Sequence, residues 1–282
     1  MNNWTDIRSL LFVPAGKLDK WEKAVASGAD AICVDLEDSV PPDEKDEARA
    51  DVQTFLEKGV AAEKKLILRI NSPESEAGKS DLEMILTLSR MIYGLMIPKI
   101  DDASPLKKVI NKLGASGKSI PLFPLIESAQ ALENGRDILS CNTVDGAVFG
   151  GHDLAMQLGC SKEWDVLATY RSEFIRSAGG LNLNLIDMPW FDLNDVAGLK
   201  KETDNAQRFG FTAKAAIHPA QVKTINAVFS PTKDEVAEAG EMIRIFEEAG
   251  GHAVAWKGKV LEPPVINQAK RIVDRARNLN LS

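Results

Sequence analysis

Charged side chains recur directly behind short apolar runs in this sequence, and those positions are where chemistry is to be sought. Asp35, Glu37 and Asp38 close the run at 31–36, and Arg69 and Asn71 close the run at 66–70. Lys99 follows 94–97, Glu127 follows 120–126, Gly150-Gly151-His152-Asp153 follows 144–149, and His218 follows 213–217. If the runs are neighbouring strands about 4.8 Å apart, Glu127 and Asp153 can share one divalent cation. Two protein carboxylates, completed by water and substrate oxygens, form the donor set that magnesium takes. The same two acids also fit helix N-termini, where negative charge is favoured, so position alone leaves both readings open. Arg69 suits a bidentate contact with a substrate carboxylate and equally a structural pair with Asp35 or Glu37. Three acids at one strand end need neutralising, and Glu37 reads as an acid supporting the site from behind.

The elements that must position these residues follow from the apolar pattern. Eight short runs, at 10–13, 31–36, 66–70, 94–97, 120–126, 144–149, 183–186 and 213–217, alternate with stretches of helical spacing such as 17–27, 44–57, 105–113 and 194–209. Strand–helix alternation of this kind gives parallel strands joined by right-handed crossovers, and eight is the count at which such a sheet closes. The expected fold is therefore α/β, a (βα)8 TIM barrel, with an open doubly wound sheet as the alternative. Polar residues behind the strands then form the active face. Turns at Gly28-Ala29-Asp30 and at 144–147 belong to the opposite face. Residues 1–230 are assigned to a catalytic barrel domain and 231–282 to a C-terminal helical extension. That extension, with a helix at 233–248, a strand at 253–257 and a helix at 264–277, is read as a lid and oligomer arm.

Composition narrows the function classes. With 44% hydrophobic and 27% charged residues the chain is neither disordered, collagenous nor a coiled coil. A net charge of −7 without a stripe of Lys and Arg excludes nucleic acid as an expected partner. Cys33, Cys141 and Cys160 are odd in number and lack CxxC spacing, so neither a disulfide framework nor a zinc ribbon is expected, and a reducing cytoplasm fits. No run approaches the ~18 apolar residues of a membrane span, and 10–13 is too short for a signal core, so neither membrane nor export is expected. His152, His218 and His252 show no HxH or HExxH spacing, and GxSxG, P-loop and GxGxxG patterns are absent.

Seven motifs occur in order from end to end. They are Arg8-Ser9-Leu10-Leu11-Phe12-Val13-Pro14, Gly28-Ala29-Asp30-Ala31 leading to Asp35-Leu36-Glu37-Asp38-Ser39-Val40, Leu68-Arg69-Ile70-Asn71, Ile97-Pro98-Lys99, Pro124-Leu125-Ile126-Glu127-Ser128, Phe149-Gly150-Gly151-His152-Asp153-Leu154 and Ala216-Ile217-His218-Pro219-Ala220-Gln221-Val222. As a set they resemble the citrate lyase beta subunit-like family, within the HpcH/HpaI aldolase and citrate lyase group of acyl-CoA lyases and pyruvate aldolases. The resemblance implies a (βα)8 barrel, Mg2+ dependence, and cleavage of a 3-hydroxyacyl thioester to an acetyl thioester and a 2-keto acid. It implies Glu127 and Asp153 as metal ligands, Arg69 as the keto-acid carboxylate binder, and Phe12 and Lys23 near the coenzyme A thioester. It also implies a homo-oligomer, trimer or hexamer, in which an acid of the C-terminal arm reaches a neighbour's site. Glu262, in Gly258-Lys259-Val260-Leu261-Glu262, stands where the family commonly has Asp, and His152 stands where an acid is usual.

The expected enzyme is thus a carbon–carbon lyase acting on citramalyl-CoA or malyl-CoA by retro-Claisen chemistry, with Glu262, Glu37 and Arg69 as the catalytic set and Glu127 also at the substrate. The alternatives are a citrate lyase beta subunit acting on a citryl thioester, a pyruvate aldehyde-lyase, and a barrel that binds acyl-CoA without turnover.

Overall fold

The computed structural model describes residues 7–59, 64–88 and 92–281; residues 1–6 of the expected barrel domain lie outside them. Eight parallel strands, β1 (Ser9–Pro14), β2 (Ala31–Asp35), β3 (Lys65–Arg69), β4 (Gly94–Ile97), β5 (Leu122–Ile126), β6 (Gly146–Phe149), β7 (Asn184–Asp187) and β8 (Ala213–Ala216), close into a barrel through pairing of β8 with β1. Around it run α1 (Trp21–Ala26), α2 (Lys45–Glu57), α3 (Glu76–Thr87), α4 (Ser104–Ala115), α5 (Ala129–Glu133), α6 (Gly135–Leu139), α7 (Gly151–Leu158), α8 (Trp164–Ser177), α9 (Val196–Phe209) and α10 (Pro219–Phe229). The expected TIM barrel is the observed fold, and the open sheet is not.

Two strands start two residues later than the apolar runs suggest. Pro121 has no N–H to donate, so the β5 ladder begins at Leu122, and the 144–145 segment makes only a single bridge to Leu122 before β6. Alternation divides each strand between two cores. Leu10, Cys33, Ile67, Met96, Phe123, Leu125, Val148 and Ile186 fill the barrel interior, whereas Leu11, Val34, Leu68, Leu95, Ile126 and Phe149 pack outward under the helices. Phe123 plugs the interior between Gly94 and Gly146, where an added Cβ would meet its ring at 2.6 and 2.5 Å.

The chain continues as α11 (Lys233–Glu248), β9 (Val254–Trp256), β10 (Lys259–Leu261) and α12 (Pro263–Asn278). Thr232 and Glu235 form a capping box at the start of α11. The strand expected at 253–257 is one arm of an antiparallel hairpin whose second arm the apolar pattern does not announce. Arg275 donates to the Phe229 and Thr212 carbonyls at 2.9 and 2.6 Å, which ties the far end of α12 beneath β8. Among the described residues no helix is long and apolar enough to cross a membrane.

Between β7, β8 and helices α8 and α9 lies an ion cluster of 0–5% side-chain exposure. Asp187 accepts from Arg171 at 2.8 Å and from Lys214 at 2.7 Å, and Lys214 also donates to Glu202 and to the Met188 carbonyl at 2.7 Å. Arg171 is sandwiched between the Trp164 and Phe149 rings at 4.3 and 5.3 Å. Burial alone would raise the Asp187 carboxyl, but Lys214 and Arg171 more than offset it and hold the group below its ordinary range. Asp187→Ala leaves two buried cations short of a counter-ion and is predicted to cost about 3–5 kcal/mol in denaturant unfolding. A loss under 1 kcal/mol would show that the cluster does not carry this part of the fold.

Candidate active site

Alternation along the strands delivers the site residues to the C-terminal mouth of the barrel. Two positions beyond the inward Cys33, Ile67 and Leu125 come Asp35, Arg69 and Glu127. Asp35 and Arg69 are register partners on β2 and β3. Their side chains form a two-point ion pair, Nε to Oδ1 and Nη2 to Oδ2, both at 2.7 Å. Arg69 Nη1 lies 2.9 Å from Glu37 Oε2 and 3.4 Å from Asp38, and its guanidinium rests 5.2 Å over the Phe12 ring. The structural pairing weighed for Arg69 is therefore present, with Phe12 beneath it. The backbone N–H groups of Glu37 and Ser39 also donate to Asp35, at 2.9 and 3.2 Å; burial would raise its carboxyl, but Arg69 above all, with help from Ser39 and Glu37, holds it below its ordinary range.

The second group gathers around Lys99, to which the sequence assigned no role. Lys99 has φ +52°, left-handed backbone in which a side chain is strained. That conformation turns its N–H to Glu127 Oε1 at 2.7 Å and its Nζ to within 3.5 Å of Glu37, 3.7 Å of Glu127 and 3.2 Å of Asp153. Its one sequence signal is a charge directly behind Pro98. Close approach of β6 to Glu127 requires Gly150, because a Cβ there would strike the Glu127 Cβ. Asp153 sits in the first turn of α7, and Ser128 caps α5 by accepting from Ala131, so the N-terminal-acid reading holds for Asp153, whereas Glu127 precedes the cap.

Burial raises Glu37 to about 7 despite Arg69. It raises Glu127 to about 8, with Lys99 opposing and Glu37 and Asp153 adding to the rise. Burial pushes Asp153 the same way, but the proton offered by Glu127 and the charge of Lys99 bring it below its ordinary value. Within the pair, burial and the neighbouring charges thus favour the proton on Glu127 rather than on Asp153. Glu127 Oε2 is buried and meets no donor. A donorless buried carboxylate oxygen beside a second carboxylate is the environment a hard divalent cation satisfies, so the residues fit magnesium. Among the described residues there is no cluster of three or more His, Cys, Asp or Glu placed as a metal cage.

A cavity of about 380 Å3 opens above these groups and is lined by Phe12, Arg69, Glu127, His152 and Asp153. Met188, Pro189 and Phe191 of the loop after β7 close its other side, a contribution that no spacing pattern flagged. Glu37 lies behind the wall, buried against Arg69. Lys23 on α1 and Glu262 ahead of α12 are exposed and do not line the cavity of their own chain. Asn71 turns away from the mouth to donate to Asp81 and to the Leu36 carbonyl, and His218 caps α10.

A family model for HpcH/HpaI aldolase/citrate lyase matches residues 8–219, and one for carbon–carbon bond lyases of the TIM-barrel fold matches 161–280. The chain belongs to the HpcH/HpaI aldolase/citrate lyase family. As an enzyme of this family it is a carbon–carbon lyase. It is 34% identical to a (3S)-malyl-CoA thioesterase of Cereibacter sphaeroides over 95% of this chain and 94% of that one. It is 28% identical to the mitochondrial citramalyl-CoA lyase of Rattus norvegicus over 96% and 86%. Among solved structures it superposes on CitE of Mycobacterium tuberculosis, crystallised with magnesium, acetoacetate and coenzyme A, with TM-score 0.78, 25% identity and coverage of 95% and 97%.

The raised Glu127 carboxyl makes this lyase's metal-free stability pH-dependent. A group near 8 in the folded chain and 4.5 unfolded stabilises fully below 4.5, and that contribution drains away as the pH climbs to about 8. In urea unfolding with chelator, the wild type is predicted to lose more stability between pH 5 and 8 than Glu127→Gln, which stays neutral throughout. Parallel losses would contradict the assignment of the proton to Glu127.

Proposed function

We propose that the chain cleaves a 3-hydroxyacyl-CoA of the citramalyl-CoA or malyl-CoA type into acetyl-CoA and pyruvate or glyoxylate, citramalyl-CoA being the first choice. The observation that carries this is the donorless Glu127 carboxyl beside Asp153, facing a cavity walled by Arg69 and Phe12. Magnesium held by Glu127 and Asp153 would acidify and orient the substrate hydroxyl as a Lewis acid. Arg69, its plane fixed by Asp35, presents its remaining N–H toward the keto-acid carboxylate. Glu37, near 7, can hold a water that takes the hydroxyl proton at neutral pH. Glu262 is the other base; being exposed on the C-terminal arm, it acts in this reading at a neighbouring subunit's cavity within a trimer or hexamer. Phe12 and Lys23 serve the coenzyme A side, and the enzyme works in the cytoplasm.

Similarity to malyl-CoA thioesterases favours a second reading on the same site, in which water cleaves the thioester and the carbon–carbon bond survives. Products separate the two: a keto acid with acetyl-CoA in the first, a hydroxy acid with free CoA in the second. Purified protein offered racemic citramalyl-CoA, malyl-CoA and citryl-CoA with magnesium is predicted to release pyruvate or glyoxylate, and chelator is predicted to stop it. Glu127→Ala and Asp153→Ala should abolish turnover while melting cooperatively. Full activity in either variant, or in chelator, would sink the metal assignment, and release of free CoA without keto acid would transfer the reading to hydrolysis.

A further inference from the structure

An enolate oxygen formed in this cavity needs a hydrogen-bond donor, and the side-chain donors that line the cavity are Arg69, Ser39 and His152. Arg69 is turned to Asp35, Glu37 and Asp38, with its remaining N–H assigned above to the keto-acid carboxylate, and the Ser39 hydroxyl donates to the Asp35 carbonyl at 3.0 Å. His152 differs from both. It lines the cavity from the first turn of α7, and its Nδ1 is buried with no hydrogen-bond partner. An N–H buried without an acceptor is a costly state, so the neutral ring keeps its proton on Nε2. The ring also has a fixed neighbour. Its centroid lies 5.0 Å from that of Phe191 at 37°, and Phe191 carries Lys162 Nζ 4.8 Å from its own centroid. This stack holds the imidazole on the cavity wall opposite Phe12 and Arg69.

We propose that His152 Nε2 donates a hydrogen bond to the thioester carbonyl oxygen of the bound acyl chain and holds the enolate that forms there. The inference rests on the carbon–carbon cleavage proposed above. In that step the hydroxyl O–H bond breaks and its proton passes to the base, and the hydroxyl carbon becomes the ketone. The pair from the broken carbon–carbon bond moves onto the thioester oxygen, which His152 stabilises without giving up its proton. The enolate carbon then takes the proton back from the base to give the acetyl thioester.

Two variants separate donation from shape. His152→Phe keeps the aromatic contact with Phe191 and removes the donor, and His152→Gln restores an N–H. The carbonyl resonance of [1-13C]acetyl-CoA bound to the wild-type protein with magnesium is expected downfield of the free thioester. It should return toward the free position in His152→Phe and move back downfield in His152→Gln. With the acyl-CoA that is turned over, His152→Phe should lower kcat by about a hundredfold with KM and magnesium affinity unchanged, the usual cost of one oxyanion donor. Equal carbonyl shifts in wild type and His152→Phe, absence of acetyl-CoA binding to the wild type, or a loss confined to KM or to magnesium binding would each overturn the proposal. If the wild type cleaves none of the thioesters but the carbonyl shift depends on His152, the donor assignment stands and the reaction proposed for the site falls.

Discussion

The pairing of Asp35 with Arg69 across β2 and β3 is the contact on which the mouth of this barrel depends. Neighbouring strands in parallel register put the two residues side by side, and the guanidinium, held at two points, can no longer turn. Its third edge is then left for Glu37 and Asp38, and its face for Phe12. Because Arg69 is spent mainly on β2, the acids of β5 and α7 must find another cation, and Lys99 is the one within reach. Five carboxylates, Asp35, Glu37, Asp38, Glu127 and Asp153, thus meet three cations, Arg69, Lys99 and Lys45, the last held by the Leu36 and Glu37 carbonyls. That excess, together with burial, drives Glu37 and Glu127 toward neutrality and makes a divalent cation welcome.

Packing below the mouth explains why ligands can enter only from this side. Phe123 and the aliphatic residues around it leave no passage through the barrel, and glycines on β4 and β6 give that ring its room. The interior is therefore a floor for the site, as expected of a barrel of this size. Gly150 plays the complementary part at the rim by letting backbone approach Glu127. One glycine type, in two settings, fixes both the floor and the wall.

Much of this was readable from the chain, for a physical reason. Strands buried on both faces appear as continuous apolar runs, so all eight showed themselves, and acids placed behind them marked the end of the barrel where the cavity opens. The pairing of Arg69 with Asp35 was not fixed by the sequence, because it depends on register rather than on order along the chain. Nor was the part played by Lys99, which requires a left-handed backbone that a lysine does not advertise. Phe191 comes from an irregular loop, and the second arm of the tail hairpin, Lys259–Leu261, is too short and too exposed to leave a periodic trace. Contacts of Lys23 and Glu262 depend on surfaces outside the cavity of their own chain, which spacing cannot address.

Charge is handled in two opposite ways in the same molecule, and the contrast separates framework from chemistry. Between the barrel and α8–α9, Arg171 and Lys214 meet Asp187 and Glu202, two against two, and Asp187 is held ionised although it is wholly buried. At the mouth, Glu37 and Glu127 go the other way, because there the carboxylates outnumber their partners, while Asp35 and Asp153, which hold the closest of those partners, stay low. Burial is common to both places, so it cannot be what distinguishes them; the count of counter-ions is. A balanced cluster has nothing to gain from a ligand. An unbalanced one stores free energy that a cation or a substrate can release, so Glu127, raised beside a cavity, is a carboxyl that a ligand would relieve, and Asp187, depressed in a sealed cluster, is not.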